Sequence, residues 1–434
     1  MENTLGREKI LTLQLSEDGT YLVYLVSYGS GSEKTEIYVQ NVKENAPVVA
    51  AVNDQKAVFY PTFAGDGFFI LTNWKAPQWH VFSTTFATPQ REHWREVVPA
   101  SDVHLESIAA AGGKLIGQYT RNATSELKVF DGHGKPESSI ALPALGSVGA
   151  STGRWESPEL FVSFESYNYA PSIFQYDVKR AKSELWAKGK MPFDPAAFEI
   201  QQVWYQSKDK TLVPMFLFHK KGLKVEGSNP ILLTGYGGFD VSETPYYWPL
   251  ALVWAEHGGI LADGNLRGGG EFDEDWHRAG MLGKKQTVFD DFIAAAEYLI
   301  ANKYTTSSNL AIDGTSNGGL LVGAAMTQRP DLFQAVVCGY PLLDMLRYQQ
   351  FFDVGGRNYP SALFVTGDGD TRVAPLHARK TTAQLQAATA SSHPILLLYD
   401  TKSGHSGGRP INKQIEENTD ILSFLFWQLG VPTN

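Results

Sequence analysis

A chain of 434 residues is longer than one ordinary domain, and its 43% hydrophobic and 19% charged content is that of a folded globular protein rather than a disordered or fibrous one. The net charge of -9, with no basic stripe or lysine-arginine run, argues against a nucleic-acid partner. One cysteine, Cys338, excludes an internal disulfide and a cysteine-based zinc site; within the apolar run "AVVCGY" it reads as a small buried hydrophobe.

The opening "MENTLGREKILTLQLSEDG" has no basic stretch followed by an apolar one, so it does not read as a signal peptide. No segment approaches the roughly 20 apolar residues that span a bilayer. The expectation is a soluble, cytoplasmic chain without a membrane partner.

To about residue 190 the sequence reads as short strands and turns with almost no helical periodicity. A repeat runs through it: "SEDGTYLVYLVS", "AGDGFFILTNWK", "AAGGKLIGQYTR" and "ESPELFVSFES" each set a turn before an alternating strand. A second strand follows each, as "TEIYVQNV", "WHVFSTTF", "ELKVFDG" and "SIFQYDV". Aligning Gly19, Gly67, Gly113 and Pro158 gives offsets of 48, 46 and 45 residues. That period predicts β-propeller blades, about four of them, with a plain β-sandwich as the alternative. The proline-bearing segment "KGKMPFDPAAFEI" breaks the repeat, placing a partial β-propeller at 1–192 and a second domain at 193–434.

After that point short apolar strands end in polar or glycine loops: "NPILLTGYGGF", "GGILADGNLRGGGEF", "NLAIDGTSNGG", "AVVCGYPLL", "SALFVTGDGD" and "PILLLYDTKSGH". Helical segments separate several of them, including "DDFIAAAEYLIAN", "PLHARKTTAQLQAATA" and "EENTDILSFLFWQL". This alternation predicts a doubly wound, mostly parallel sheet of the α/β-hydrolase kind, with its chemistry beyond the strand ends.

"NLAIDG" and "GGLLVGAAMTQRP" place Ser316 at a sharp strand-to-helix turn among Gly314, Gly318 and Gly319, the context of a nucleophile elbow. Serine needs a base, and chain order in such folds puts an acid and then a histidine downstream. His405 lies in a glycine-flanked loop after the last strand, whereas His219, His257, His277, His377 and His393 fall in strands, helices or helix starts. Asp368 and Asp370 both follow a strand, and spacing does not choose between them. Tyr236, in the loop after "ILLTG", is either an oxyanion donor through its hydroxyl or a packed aromatic. "NLRGGGEF" lacks the following Lys-Ser/Thr pair of a phosphate loop and reads as a tight loop near the site.

Taken together, "GYGGF", "NLRGGGEF", "DDFIAAAEYLI", "GTSNGGLL", "RPDLF", "DMLRY", "GDGDTRVAPLHARK" and "DTKSGH" resemble the prolyl oligopeptidase family of serine peptidases, in its prolyl endopeptidase branch. The resemblance runs through nearly the whole chain. It implies Ser316 as nucleophile, His405 as general base and then acid, and Asp370 as the carboxylate that orients it. It further implies an oxyanion held by the Tyr236 hydroxyl and the Asn317 backbone N–H. Arg372 would bond a substrate carbonyl, and Phe239 and Val373 would line a proline pocket. The expected activity is hydrolysis of short peptides after proline through an acyl-enzyme, by a monomer needing no metal or other cofactor. An acylaminoacyl peptidase, an esterase and an inactive binding module are the competing expectations. Family propellers have seven blades and a preceding segment of hydrolase domain. The resemblance therefore implies an N-terminally truncated chain, also shortened near Phe352–Asp353, where the family carries a tryptophan that stacks on the substrate proline.

Overall fold

Alternating apolar and polar residues fold the first half into four-stranded antiparallel meanders. In the computed structural model, residues 9–28, 33–343, 356–405 and 409–433 are described. The first sheet comprises β1 (Ile10–Leu15), β2 (Tyr21–Ser27), β3 (Thr35–Asn41) and β4 (Val49–Val52). The second comprises β5 (Phe59–Ala64), β6 (Gly67–Thr72), β7 (His80–Thr85) and β8 (Arg95–Val98). The third comprises β9 (His104–Ala111), β10 (Lys114–Arg121), β11 (Thr124–Asp131) and β12 (Pro136–Ile140). The fourth comprises β13 (Ser147–Arg154), β14 (Ser157–Ser166), β15 (Tyr169–Asp177) and β16 (Lys182–Lys188).

Successive sheets share their apolar faces. Val23, Ile37, Phe59 and Ile70 join the first to the second; Phe69, Leu71, Leu105 and Leu115 join the second to the third. Ile116, Val129, Leu160 and Val162 join the third to the fourth. A partial β-propeller therefore precedes the second half of the chain. The turn from β13 to β14 reaches the turn from β1 to β2, where the Trp155 N–H donates to the Glu17 carboxylate at 3.0 Å.

The second half is one eight-stranded mixed sheet. Its strands are β17 (Phe198–Gln206), β18 (Leu212–Lys220), β19 (Ile231–Gly235), β20 (Ile260–Gly264), β21 (Leu310–Thr315), β22 (Ala335–Gly339), β23 (Ser361–Gly367) and β24 (Ile395–Asp400). Their order is β17-β18-β20-β19-β21-β22-β23-β24. β18 pairs antiparallel with both β17 and β20, and every other pairing is parallel. The inner strands β19–β23 are buried on both faces, which is why they read as unbroken apolar runs. The helices are α1 (Pro249–Glu256), α2 (Glu274–Arg278), α3 (Gln286–Ala301), α4 (Asn317–Gln328), α5 (Leu376–Ala388) and α6 (Ile411–Leu429). Phe289 and Phe292 of α3, Leu321 of α4 and Leu385 of α5 join one apolar cluster; Trp254 of α1 and Phe424 of α6 join another.

The chain divides into two compact units between Met191 and Pro192, with 244–246 and 271–275 belonging to the first. Among the described residues no helix is long and apolar enough to cross a membrane. Cys338 is buried, as its apolar setting predicted.

Candidate active site

β21 ends at Thr315 and α4 begins at Asn317, so Ser316 makes the whole reversal alone. Its backbone is driven to φ 62° and ψ -115°, a conformation that costs a non-glycine residue about 1–3 kcal/mol and is tolerated where the surroundings enforce it. The enforcement is visible. Ser316 N–H donates to Gly339 O at 2.8 Å, and a Cβ on Gly314 would stand 2.2 Å from Gly318 O. A Cβ on Gly319 would stand 2.6 Å from Gly339 O. Ser316 precedes the helix, yet its side chain makes no capping hydrogen bond, so its hydroxyl is not spent on α4.

Below the elbow, burial dominates the electrostatics. Asp313 of β21 is enclosed, and desolvation raises its carboxyl to about 7, with the nearby Glu417 charge adding to the rise. Desolvation likewise pushes the Cys338 thiol far up, and its Sγ lies 3.3 Å from Gly319 O. Cys338 is therefore packing, not a nucleophile.

The loops after β23 and β24 are joined by backbone hydrogen bonds. Asp368 N–H donates to Asp400 O at 2.8 Å, and Gly369 N–H donates to Ser403 O at 2.9 Å. That junction sets Asp370 against His405, with His405 Nδ1 2.7 Å from Asp370 Oδ2. The other carboxylate oxygen accepts the Arg372 and Val373 backbone N–H groups at 2.9 and 2.8 Å. A fully buried carboxylate so placed accepts from Nδ1–H, leaving the lone pair on Nε2. Asp368, the alternative by spacing, instead receives the Tyr399 hydroxyl at the surface. His393 lies in the loop before β24 and His257 in the turn just past α1, so neither is on a helix or strand or at a helix start.

Sequence reasoning missed Tyr340. Its ring meets the His405 imidazole edge-on at 5.5 Å between centroids, and its hydroxyl lies 3.0 Å from Glu417 and receives Arg409 Nη1 at 3.0 Å. It was visible only as one aromatic in "AVVCGYPLL".

Tyr236 follows β19 and runs beside the start of α4. Its carbonyl accepts from the Asn317 side chain at 2.6 Å, and a Cβ on Gly318 would lie 3.8 Å from the Tyr236 ring. The loop continues through Phe239, which has φ 59° and is 64% exposed. Arg372 is exposed and Val373 buried, both on the Asp370 loop. The "NLRGGGEF" glycines lie under the Tyr236 loop, where Gly268 O accepts the Asp240 N–H at 3.3 Å. The Phe352–Asp353 junction and "DMLRY" lie outside the described residues.

The fold and these loops define an α/β-hydrolase carrying an N-terminal propeller module. Residues 4–189 match the prolyl oligopeptidase N-terminal beta-propeller domain, and 246–358 with 352–432 match the prolyl oligopeptidase family. A prolyl endopeptidase of Elizabethkingia miricola is 36% identical, aligned over 98% of this chain and 64% of its own. One of Dictyostelium discoideum is 34% identical over 88% of this chain and 56% of its own. Among solved structures, a prolyl endopeptidase studied for inter-domain dynamics superposes with a TM-score of 0.91 at 39% identity, covering 98% of this chain and 67% of that one. Prolyl oligopeptidase B from Galerina marginata, bound to a 35mer hydrolysis and macrocyclization substrate, gives 0.89 at 29% identity, covering 98% and 66%. The chain belongs to the prolyl oligopeptidase family. It spans less than two thirds of the length of these curated relatives.

Proposed function

We propose that this chain is a serine endopeptidase that cleaves short peptides on the carboxyl side of proline through an acyl-enzyme. The observation that carries the reading is the buried Asp370–His405 hydrogen bond, formed between loops that leave the same sheet as a strained serine elbow. Relatives aligned over 98% of the chain are named prolyl endopeptidases, which supports the substrate class.

In this mechanism Ser316 Oγ attacks the carbonyl carbon of the scissile bond while His405 Nε2 takes the hydroxyl proton. Asp370 holds the imidazole in the required tautomer and balances the imidazolium that forms. The Tyr236 hydroxyl and the Asn317 backbone N–H donate to the tetrahedral oxyanion. His405 then passes its proton to the leaving amine and the C–N bond breaks. Water enters, gives a proton to His405, and the ester to Ser316 is cleaved by the reverse sequence. Arg372 binds a substrate carbonyl from its exposed place on the Asp370 loop. Phe239 and Val373 contact the proline. None of these steps calls for a metal or other cofactor.

The chain acts as a cytoplasmic monomer on peptides, not on nucleic acid or membranes. The net charge of -9 supports the exclusion of nucleic acid, and a lone buried thiol is compatible with a reducing compartment. The test is hydrolysis of a blocked Gly-Pro chromogenic amide beside an acetyl-Ala amide and simple esters. Preference for the Gly-Pro amide is expected; acetyl-Ala or ester preference overturns proline specificity and returns the acylaminoacyl peptidase or esterase reading. A folded chain that hydrolyses none of them favours a binding module.

A further inference from the structure

The segment Tyr236–Gly237–Gly238 is held by more than its own turn. Asn317 Nδ2 donates to the Tyr236 carbonyl and Lys285 Nζ donates to the Gly237 carbonyl, each at 2.6 Å. Gly237 sits at φ 58°, and a Cβ there would stand 2.3 Å from Val288 Cγ1. Val288 belongs to the first turn of α3, and Lys285 is the residue just before that helix. One helix start thus both floors this segment and bonds it.

Lysine is a costly residue for that place. Helix starts favour Ser, Thr, Asp or Asn, whose side chains cap free N–H groups, and the helix dipole disfavours a cation there. The Lys285 side chain makes no capping hydrogen bond. Desolvation, with no carboxylate among the described residues offsetting it, lowers the ammonium to about 8. A cation kept against both effects is explained by what it bonds, and its bond is to the carbonyl adjoining Tyr236.

We propose that Lys285 is a positioning residue for the oxyanion donor: with Asn317 it grips two consecutive carbonyls and so fixes the peptide run that aims the Tyr236 hydroxyl. The inference rests on the oxyanion role proposed for Tyr236. Lys285 touches no substrate and acts through that loop.

A double-mutant cycle reads this coupling. Lys285→Met should lower kcat about tenfold with KM within about twofold, because misplacing a donor by an ångström is enough to slow chemistry. In a Tyr236→Phe background the same change should cost less than about twofold more, since the donor it aims is already gone. Hydrogen exchange provides a readout independent of turnover: peptides covering 236–241 should exchange faster in Lys285→Met, while those covering 311–324 should not change. Multiplying losses in the double variant, unchanged kcat, or unchanged exchange at 236–241 would each overturn the proposal. Faster loop exchange in a protein whose wild type hydrolyses nothing keeps Lys285 as the loop's anchor and retires the peptidase reading. Lys285→Gln, whose amide ends short of the carbonyl, carries the same cycle if the methionine variant does not fold. Failure of both to fold would overturn the proposal, because the lysine would then support the domain and not the loop.

Discussion

Asp370→Asn separates the acid's electrostatic role from its geometry. The Arg372 and Val373 N–H groups point at one carboxylate oxygen at 2.9 and 2.8 Å. An asparagine must keep its carbonyl oxygen there, since turning the amide would set NH2 against two donors. The NH2 is therefore forced toward His405 Nδ1, 2.7 Å away in the native pair. Nδ1 becomes an acceptor, the neutral imidazole carries its proton on Nε2, and no lone pair remains to take the serine proton. Amidating a triad aspartate in this way costs about 10⁴-fold in kcat, or roughly 5.5 kcal/mol at about 1.4 kcal/mol per decade. Because the hydrogen-bond count is kept, thermal stability should fall by no more than the roughly 1–2 kcal/mol that separates a charged from a neutral hydrogen bond. The assay is kcat on the Gly-Pro amide together with thermal melting, with Asp368→Asn as the control. Asp368 bonds only the surface Tyr399 hydroxyl among the hydrogen bonds seen for its side chain, so its variant should keep nearly full activity. Retention by Asp370→Asn of a rate within tenfold of wild type, or an equal loss in Asp368→Asn, would refute the reasoning.

Two further substitutions probe the elbow's surroundings. Tyr236→Phe should lower kcat by about 10²–10³-fold with a small change in KM, the usual consequence of removing one oxyanion donor; an unchanged kcat would return Tyr236 to the role of packed aromatic. Asp313→Asn should stabilise the protein at alkaline pH. Burial raises the Asp313 carboxyl from 3.8 to about 7, so the fold favours its protonated form. The native protein is unpenalised by this group below about pH 4 and loses stability as pH climbs through 7, by up to roughly 4 kcal/mol from linkage. Melting curves should show the variant several degrees above wild type at pH 8 and level with it near pH 4. A gap that persists or widens in acid would contradict the burial account.

Much of this was legible because geometry leaves marks in the sequence. Gly314 and Gly319 are demanded by backbone contacts around Ser316, so the elbow could be read from a short string. Gly19 and Gly113 lie in the turn of the first hairpin of their sheets and Gly67 opens the second strand of its own, which is why the repeat emerged at the right period. The repeat revealed two strands of each sheet and not four. β16 is exposed along its whole length and β12 opens on Pro136, and such strands carry no alternation to read. The antiparallel pair β17 and β18 was also missed, because Val213–Phe218 is continuously buried and gives no period. Asp368 and Asp370 occupy one turn, and only the third dimension gives one of them the imidazole. Lys285 and Tyr340 were invisible for a related reason. Each meets its partner across 48 or more residues through an ordinary side chain, and no local pattern announces that.

The central claim is that Ser316 is an activated nucleophile. The direct measurement is treatment of the folded wild-type chain with a fluorophosphonate, followed by mass spectrometry of the peptide spanning residues 311–324. Stoichiometric phosphonylation at Ser316, absent in Ser316→Ala and greatly slowed in His405→Ala, is the predicted result. A folded wild-type chain left unmodified, or a label that survives Ser316→Ala, would contradict it.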